Sequence, residues 1–281
     1  MRSQAATWRI VLVVLDGLRP DAIGRFDLGC LNSLIACGAW TLDARTVSPS
    51  VTVAAVTSLM TGISPAMHGL VGDRVFIPRS RRSIVPLPEL LAAQDYPLWG
   101  FMRQLPLVFR GVAGRVGRRL GLRKLHLHGA CAEEVLASAR QLLRKEPRGL
   151  FVLHWPDADT AGHDAGWMSP AYAAACRRLD SALTRLVDDA DDGNTMLVLV
   201  ADHGGGGTIA TDHESSHPAD RTIPLILWGA GVAPTWLDGG CLLDIPATIL
   251  TAFGMEPPSW YMGRALVEAL ARTKPRGVAV A

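Results

Sequence analysis

Three short runs in this chain are apolar at every position: Ile10-Val-Leu-Val-Val-Leu15, Leu150-Phe-Val-Leu153 (followed by His154) and Met196-Leu-Val-Leu-Val-Ala201. A strand with one wet face alternates apolar and polar residues. A strand that is apolar throughout is covered on both faces, as in parallel sheets packed between helices. Each run ends in aspartate-bearing sequence: Asp16-Gly17, Asp157-Ala158-Asp159 and Asp202-His203-Gly204. The loops past the carboxyl ends of parallel strands are where α/β sheets place their sites. A fourth run, Ile223-Pro-Leu-Ile-Leu-Trp228, also reads as a strand, with Pro224 near its start, where a missing N–H is tolerated.

Helical patterns lie between these strands. Pro170 to Val187 spaces Tyr172, Cys176, Leu179, Leu183 and Leu186 at three- and four-residue intervals, which predicts an amphipathic helix. Ala130 to Leu143 and Asp244 to Phe253 behave similarly. The alternation predicts an α/β fold: a three-layer sandwich with a mostly parallel central sheet. At 281 residues the chain suits one large domain spanning 1–281, and its 49% apolar and 19% charged residues exclude a disordered chain.

A net charge of +2 is too small for a general nucleic-acid binder. The strongest apolar run, Ile10 to Leu15, is far shorter than the ~20 residues of a membrane-spanning helix. The N-terminus lacks the long apolar segment and cleavage site of a signal peptide. Five cysteines, odd in number and never in a Cys-x-x-Cys pair, suit reduced thiols. Together these give the expectation of a soluble, cytoplasmic protein.

One stretch differs in composition. From Arg74 to Lys124 there are eleven basic residues against only Glu89 and Asp95. This predicts a small arginine-rich cap inserted over residues 74–130. A basic rim that draws in phosphate-bearing substrates, and a basic amphipathic surface for anionic lipid, are the other two readings.

The chemistry-bearing residues collect after the strands. Asp159-Thr-Ala-Gly-His163 sets a carboxylate and an imidazole four residues apart, Asp202-His203 offers another such pair, Asp16 follows the first strand, and His217 precedes the last. Three aspartates and three histidines are too many for one tetrahedral site and suit two adjacent divalent cations, Zn²⁺ or Mn²⁺. Taken singly, a carboxylate after a strand can simply cap a helix. The joint occurrence after separate all-apolar strands is what favours metal. Ser48-Pro-Ser-Val-Thr52 reads as a loop opening onto a helix, with Thr52 in its first turn. A hydroxyl there can cap the helix or, beside a metal, serve as a nucleophile toward a phosphoryl group, and the spacing leaves both open.

These segments carry a resemblance. Val13-Val14-Leu15-Asp16-Gly17-Leu18-Arg19, Ser48-Pro-Ser-Val-Thr52 and Thr61-Gly-Ile-Ser-Pro-Ala-Met-His68-Gly-Leu70 are similar to the opening motifs of the alkaline phosphatase superfamily, type I phosphodiesterase/nucleotide pyrophosphatase branch. Asp159 with His163, Asp202-His203-Gly204, His217 ahead of Ile223-Pro224, and Asp244-Ile-Pro-Ala-Thr-Ile-Leu250 continue it in order.

The resemblance implies two divalent metals, one held by Asp16, Thr52, Asp202 and His203, the other by Asp159, His163 and His217. It further implies that Thr52 attacks phosphorus and forms a phosphothreonine that water hydrolyses. A small anionic phosphoester is the implied substrate, and a phosphomutase or phosphotransferase, or a non-catalytic phosphate-binding module, are the alternatives on the same scaffold. By its distance to Pro224, His217 is preferred over His213 as the last ligand. Asp157 is expected to orient a histidine, His68 to be structural, and His126, His128 and His154 to have no part.

The chain also departs from the pattern. Asp73, next to Arg74, stands where nucleotide pyrophosphatases have an asparagine contacting a phosphoryl oxygen, so Asp73 and Arg74 are the candidate substrate contacts. The inserts that build a nucleoside pocket are absent, and so is the Cys/Ser-x-Pro-x-Arg nucleophile motif of sulfatases.

Overall fold

The computed structural model describes residues 9–71, 84–104 and 124–271. Strand β1 (Arg9–Leu15) is buried at every position, as is β6 (Thr195–Val200), and β5 (Gly149–Trp155) is nearly so. Full burial of a Val, Leu or Ile side chain contributes roughly 1.5–3 kcal/mol relative to exposure, so these three strands hold the centre of the core.

The remaining strands are β2 (Ala39–Arg45), β3 (Leu98–Met102), β4 (Lys124–Leu127), β7 (Thr222–Gly229) and β8 (Thr235–Trp236). They form one sheet of order β4-β3-β5-β1-β6-β7-β2-β8. Every neighbouring pair is parallel except β6–β7 and β2–β7, so β7 alone runs backwards. The β2–β7 register shifts between Thr41 and Ala44, opposite Pro224. The residue without an N–H therefore sits at a bulge, where the ladder is already broken.

The helices are α1 (Pro20–Arg25), α2 (Gly29–Cys37), α3 (Thr52–Thr61), α4 (Pro65–His68), α5 (Leu87–Ala92), α6 (Ala132–Lys145), α7 (Asp157–Ala165), α8 (Pro170–Ala190), α9 (Pro218–Arg221) and α10 (Asp244–Ala252). They fall into two packed sets: α2, α6 and α7 against α8, and α4, α5 and α10 against α3. The sets flank the sheet and make the three-layer α/β sandwich. Helix α8 buries Tyr172, Cys176, Leu179, Leu183 and Leu186, the five residues whose spacing predicts it, and Ser169 caps it by accepting the Tyr172 N–H.

Part of the expected cap at 74–130 is corrected by the sheet. Within that range β3 and β4 are edge strands continuing the central sheet, and α5 packs on β3. The segment broadens the sheet because β3 pairs with β5 along Leu98–Met102, whose apolar residues need that neighbour. Of the basic residues of the stretch, Arg103 and Lys124 are described, and the others lie outside the described residues. Among the described residues, no helix is long and apolar enough to cross a membrane.

Candidate metal centre and nucleophile

Asp16, Asp159, Asp202 and His203 stand past the carboxyl ends of β1, β5 and β6, adjacent strands in the sheet order β5-β1-β6. Gly17 locks them together. Its φ of +72° is easy only without a side chain, and a Cβ there would lie 2.8 Å from the Asp159 Cα. The close approach lets the Asp159 N–H donate to the Asp16 carbonyl at 2.9 Å. The Gly17 carbonyl in turn accepts from Trp167 Nε1 and from the Tyr172 hydroxyl, both at 2.9 Å.

Asp159 Oδ1 is the meeting point of three imidazoles. His163 Nε2 lies at 3.3 Å, and His203 Nε2 and His213 Nε2 each at 3.9 Å. Asp16 Oδ1 is 3.2 Å from His203 Nε2, and Asp202 Oδ2 is 3.7 Å from it. All three histidines hand their Nδ1 proton to a backbone carbonyl: His163 to Thr211 at 2.9 Å, His203 to Gly204 at 2.8 Å and His213 to Ser50 at 2.7 Å. That orients each ring and turns each Nε2 inward, the arrangement that metal-ligating histidines adopt.

Thr52 is the first residue of α3, and no side chain caps that helix. Of the two readings left open by its spacing, capping is therefore removed. Its Oγ1 instead lies 3.2 Å from His203 Nε2 and 3.4 Å from Asp16 Oδ1. Ser50 donates its hydroxyl to the His213 carbonyl at 2.6 Å and helps fasten the loop that carries that histidine.

The electrostatics are those of crowded carboxylates. Burial, then Asp16, pushes Asp159 up to about 7, and the same two causes push Asp202 up to about 6. Burial would also raise Asp16, but His154 and His203 bring it down to about 2. Burial would lower His203, yet Asp202 and Asp16 hold it up at about 10. Burial and the neighbouring His203 lower His213 to about 4. Asp159 Oδ1 and Asp202 Oδ2 are buried with no hydrogen-bond partner. Uncompensated buried carboxylate oxygens cost several kcal/mol, so the donor set fits divalent cations. Donor atoms of Asp159, His163 and His213 lie within 4.8 Å of one another, as do those of Asp16, Asp159 and His203.

Two expectations are corrected by this geometry. His217 is exposed and stands outside the cluster, its Nδ1 accepting the Ala219 N–H at the start of α9; His213 stands in its place. Asp157 orients no histidine: its Oδ2 accepts the Ala132 N–H at 2.7 Å at the start of α6. His154, expected to have no part, lies 3.4 Å from Asp16 Oδ2. A polar residue ending an otherwise apolar strand was the signal for it. Trp167 was also missed; its ring sits 5.2 Å from His163 and 5.8 Å from His213, measured between centroids. His68 is structural, since its Nδ1 accepts the Leu70 N–H and its Nε2 faces Ser58 Oγ at 3.0 Å. Asp73 and Arg74 lie outside the described residues.

Residues 10–103 match the model of the type I phosphodiesterase/nucleotide pyrophosphatase family, and residues 125–257 that of the metalloenzyme superfamily. The chain is 26% identical over 137 residues to a 2,3-bisphosphoglycerate-independent phosphoglycerate mutase of Listeria monocytogenes, covering 49% of this chain and 26% of the mutase. It is 30% identical over 142 residues to the corresponding mutase of Haloarcula marismortui, covering 49% and 27%. The match thus spans about a quarter of the length of these curated relatives.

Among solved structures, murine ectonucleotide pyrophosphatase/phosphodiesterase 5, an inactive variant in complex with AMP, superposes with a TM-score of 0.73 at 12% identity, covering 94% of this chain and 100% of that one. A phosphonate monoester hydrolase from Silicibacter pomeroyi gives 0.68 at 15% identity, covering 96% and 78%. Asp16 and Thr52 fall within the first of these matches, and Asp159, His163, Asp202, His203 and His213 within the second. The chain is thus similar to the type I phosphodiesterase/nucleotide pyrophosphatase family over residues 10–103 and to the metalloenzyme superfamily over residues 125–257, and it shares the fold of the ectonucleotide pyrophosphatase.

Proposed function

We propose that this chain is a metal-dependent phosphoester hydrolase that works through a phosphothreonine on Thr52 and acts on a small anionic phosphodiester or phosphonate ester. The observation that carries this reading is the position of Thr52 Oγ1, at the start of α3 and within 3.4 Å of both Asp16 Oδ1 and His203 Nε2. Asp16, Thr52, Asp202 and His203 would hold one divalent cation, and Asp159, His163 and His213 the other, with Zn²⁺ favoured by the histidine content and Mn²⁺ the alternative. When bound, the pair of cations supplies charge neutralisation at the entering and leaving oxygens of an in-line displacement.

The chain's own groups do the rest. The first turn of α3 turns uncapped backbone N–H groups and the positive end of its dipole toward an incoming phosphoryl oxygen. Thr52 Oγ1 loses its proton to solvent and bonds to phosphorus as the bond to the leaving alcohol breaks, and the alcohol departs with a proton from solvent. Water then attacks phosphorus, the bond to Thr52 breaks, and the threonine hydroxyl re-forms.

Purified protein with added Zn²⁺ or Mn²⁺ is to be assayed on chromogenic phosphodiester, phosphomonoester, phosphonate and sulfate esters. Turnover of a phosphorus ester is expected, with a loss of roughly 10³-fold or more in Thr52→Ala. Inertness toward every phosphorus ester, or full activity in Thr52→Ala, overturns the proposal. The similarity to phosphoglycerate mutases supports a second reading, transfer of the phosphoryl group to an alcohol in place of water. Product analysis with an added alcohol acceptor separates the two.

A further inference from the structure

The last polar residue of β5 has no role in the scheme above. His154 is 8% exposed, and neither Nδ1 nor Nε2 has a hydrogen-bond partner among the described residues. Buried imidazoles normally satisfy at least one nitrogen, as His163, His203 and His213 do on backbone carbonyls. Yet His154 Nε2 lies 3.4 Å from Asp16 Oδ2 without hydrogen-bond geometry, and the donor atoms of Asp16, His154 and Asp202 lie within 4.8 Å of one another. Asp202 Oδ2, in that same group, is likewise buried and unpartnered. The two oxygens of Asp16 thus face different imidazoles, Oδ1 toward His203 at 3.2 Å and Oδ2 toward His154 at 3.4 Å.

We propose that His154 is a fourth imidazole ligand of the metal centre, binding through Nε2 the cation shared by Asp16 and Asp202. This rests on the paired-cation reading of the site. A further nitrogen donor shifts the preference of that position toward zinc-like cations and away from Mn²⁺ or Mg²⁺, which favour oxygen. It also explains why an otherwise apolar strand carries a buried histidine near its end: the strand positions the ring, and the cation satisfies the nitrogen that no protein group does.

The test uses the full chain, stripped of metal, labelled with ¹⁵N-histidine and reloaded with ¹¹³Cd²⁺. Four imidazole nitrogens split by cadmium are expected, with one splitting lost in His154→Phe. Three split nitrogens in the unsubstituted protein, with His154 unsplit, overturn the assignment while leaving the paired-cation site standing. No split nitrogen at all overturns both. His154→Phe, which keeps a ring of similar size, should weaken Zn²⁺ binding in a chelator competition by on the order of 10–100-fold and Mn²⁺ binding by less. Unchanged Zn²⁺ affinity in a folded variant overturns the proposal as well.

Discussion

His203 and His213 stack face to face, with ring centroids 3.8 Å apart and planes inclined by 13°. Both Nδ1 atoms donate away from the site to backbone carbonyls, and both Nε2 atoms stand 3.9 Å from Asp159 Oδ1. Two imidazoles held this way cannot both be protonated comfortably, and His213 is the one driven neutral, to about 4. A neutral imidazole with an inward lone pair is the state that binds a cation.

His213→Ala should therefore strip metal from the protein and reduce turnover at least tenfold, read by elemental analysis after dialysis and by initial rates. His217→Ala removes only the acceptor for the Ala219 N–H at an exposed helix start, at a stability loss of about 1 kcal/mol or less. Metal content should be unchanged in that variant. The reverse pattern, metal lost with His217 and kept without His213, would refute the placement.

The metal-free protein should lose stability as pH rises from 7 to 9. His203 is held at about 10 in the fold against an ordinary 6.5, so its contribution is complete below 6.5 and disappears as pH climbs toward 10. Asp159, raised to about 7, and Asp202, raised to about 6, also cost stability as pH rises, but from about 4 upward. His213, lowered to about 4, acts in the opposite sense between 4 and 6.5, so the lower range is mixed. Above pH 7 one proton dominates, giving a slope of at most about 1.4 kcal/mol per pH unit. Thermal unfolding in chelator should show the midpoint falling across this window, and added Zn²⁺ should raise it. A midpoint rising with pH would contradict the assignment.

Asp157→Ala should destabilise the fold without emptying the site. Its carboxylate accepts the Ala132 N–H at the start of α6, a capping contact worth about 0.5–2 kcal/mol. Denaturant unfolding should show that loss while cadmium or zinc content per chain stays constant. Loss of metal in a folded Asp157→Ala protein would restore the histidine-orienting role.

The sequence made the framework legible because covered parallel strands leave an unmistakable mark. Ile10–Leu15 and Met196–Ala201 have no polar residue to spare, and Asp16 and Asp202 follow them directly. Thr52 and Asp159 were equally visible, one ahead of a helical pattern and the other just past a strand. The choice between His213 and His217 was not, because both lie in a loop without periodicity, and only the Ser50 hydrogen bonds decide which turns inward. His154 was expected to have no part, since nothing local reveals that the Asp16 carboxylate of the neighbouring strand faces it. The edge strands β3 and β4 were hidden inside a compositional contrast: arginines flanking Leu98–Met102 drew attention from its own apolar character.

Trp167 supplies the most demanding test of how the site is supported. An added Cβ at Gly205 would sit 2.1 Å from the Trp167 ring, and one at Gly162 would sit 2.5 Å from it. The glycines after His203 and before His163 therefore make room for one indole, which abuts both His163 and His213 and donates to the Gly17 carbonyl. Gly205→Ala should cost roughly 1–3 kcal/mol through overpacking and weaken metal binding by displacing the indole. Trp167→Leu alone leaves a void and loses the Gly17 hydrogen bond, so it too is destabilising. In the double variant the added methyl enters space that the indole has left, so the combined loss should be smaller than the sum by at least about 0.5 kcal/mol. Denaturant unfolding of the four proteins measures that coupling. Strict additivity would mean that the ring and the glycine do not meet, and that the histidines are held by their backbone carbonyls alone.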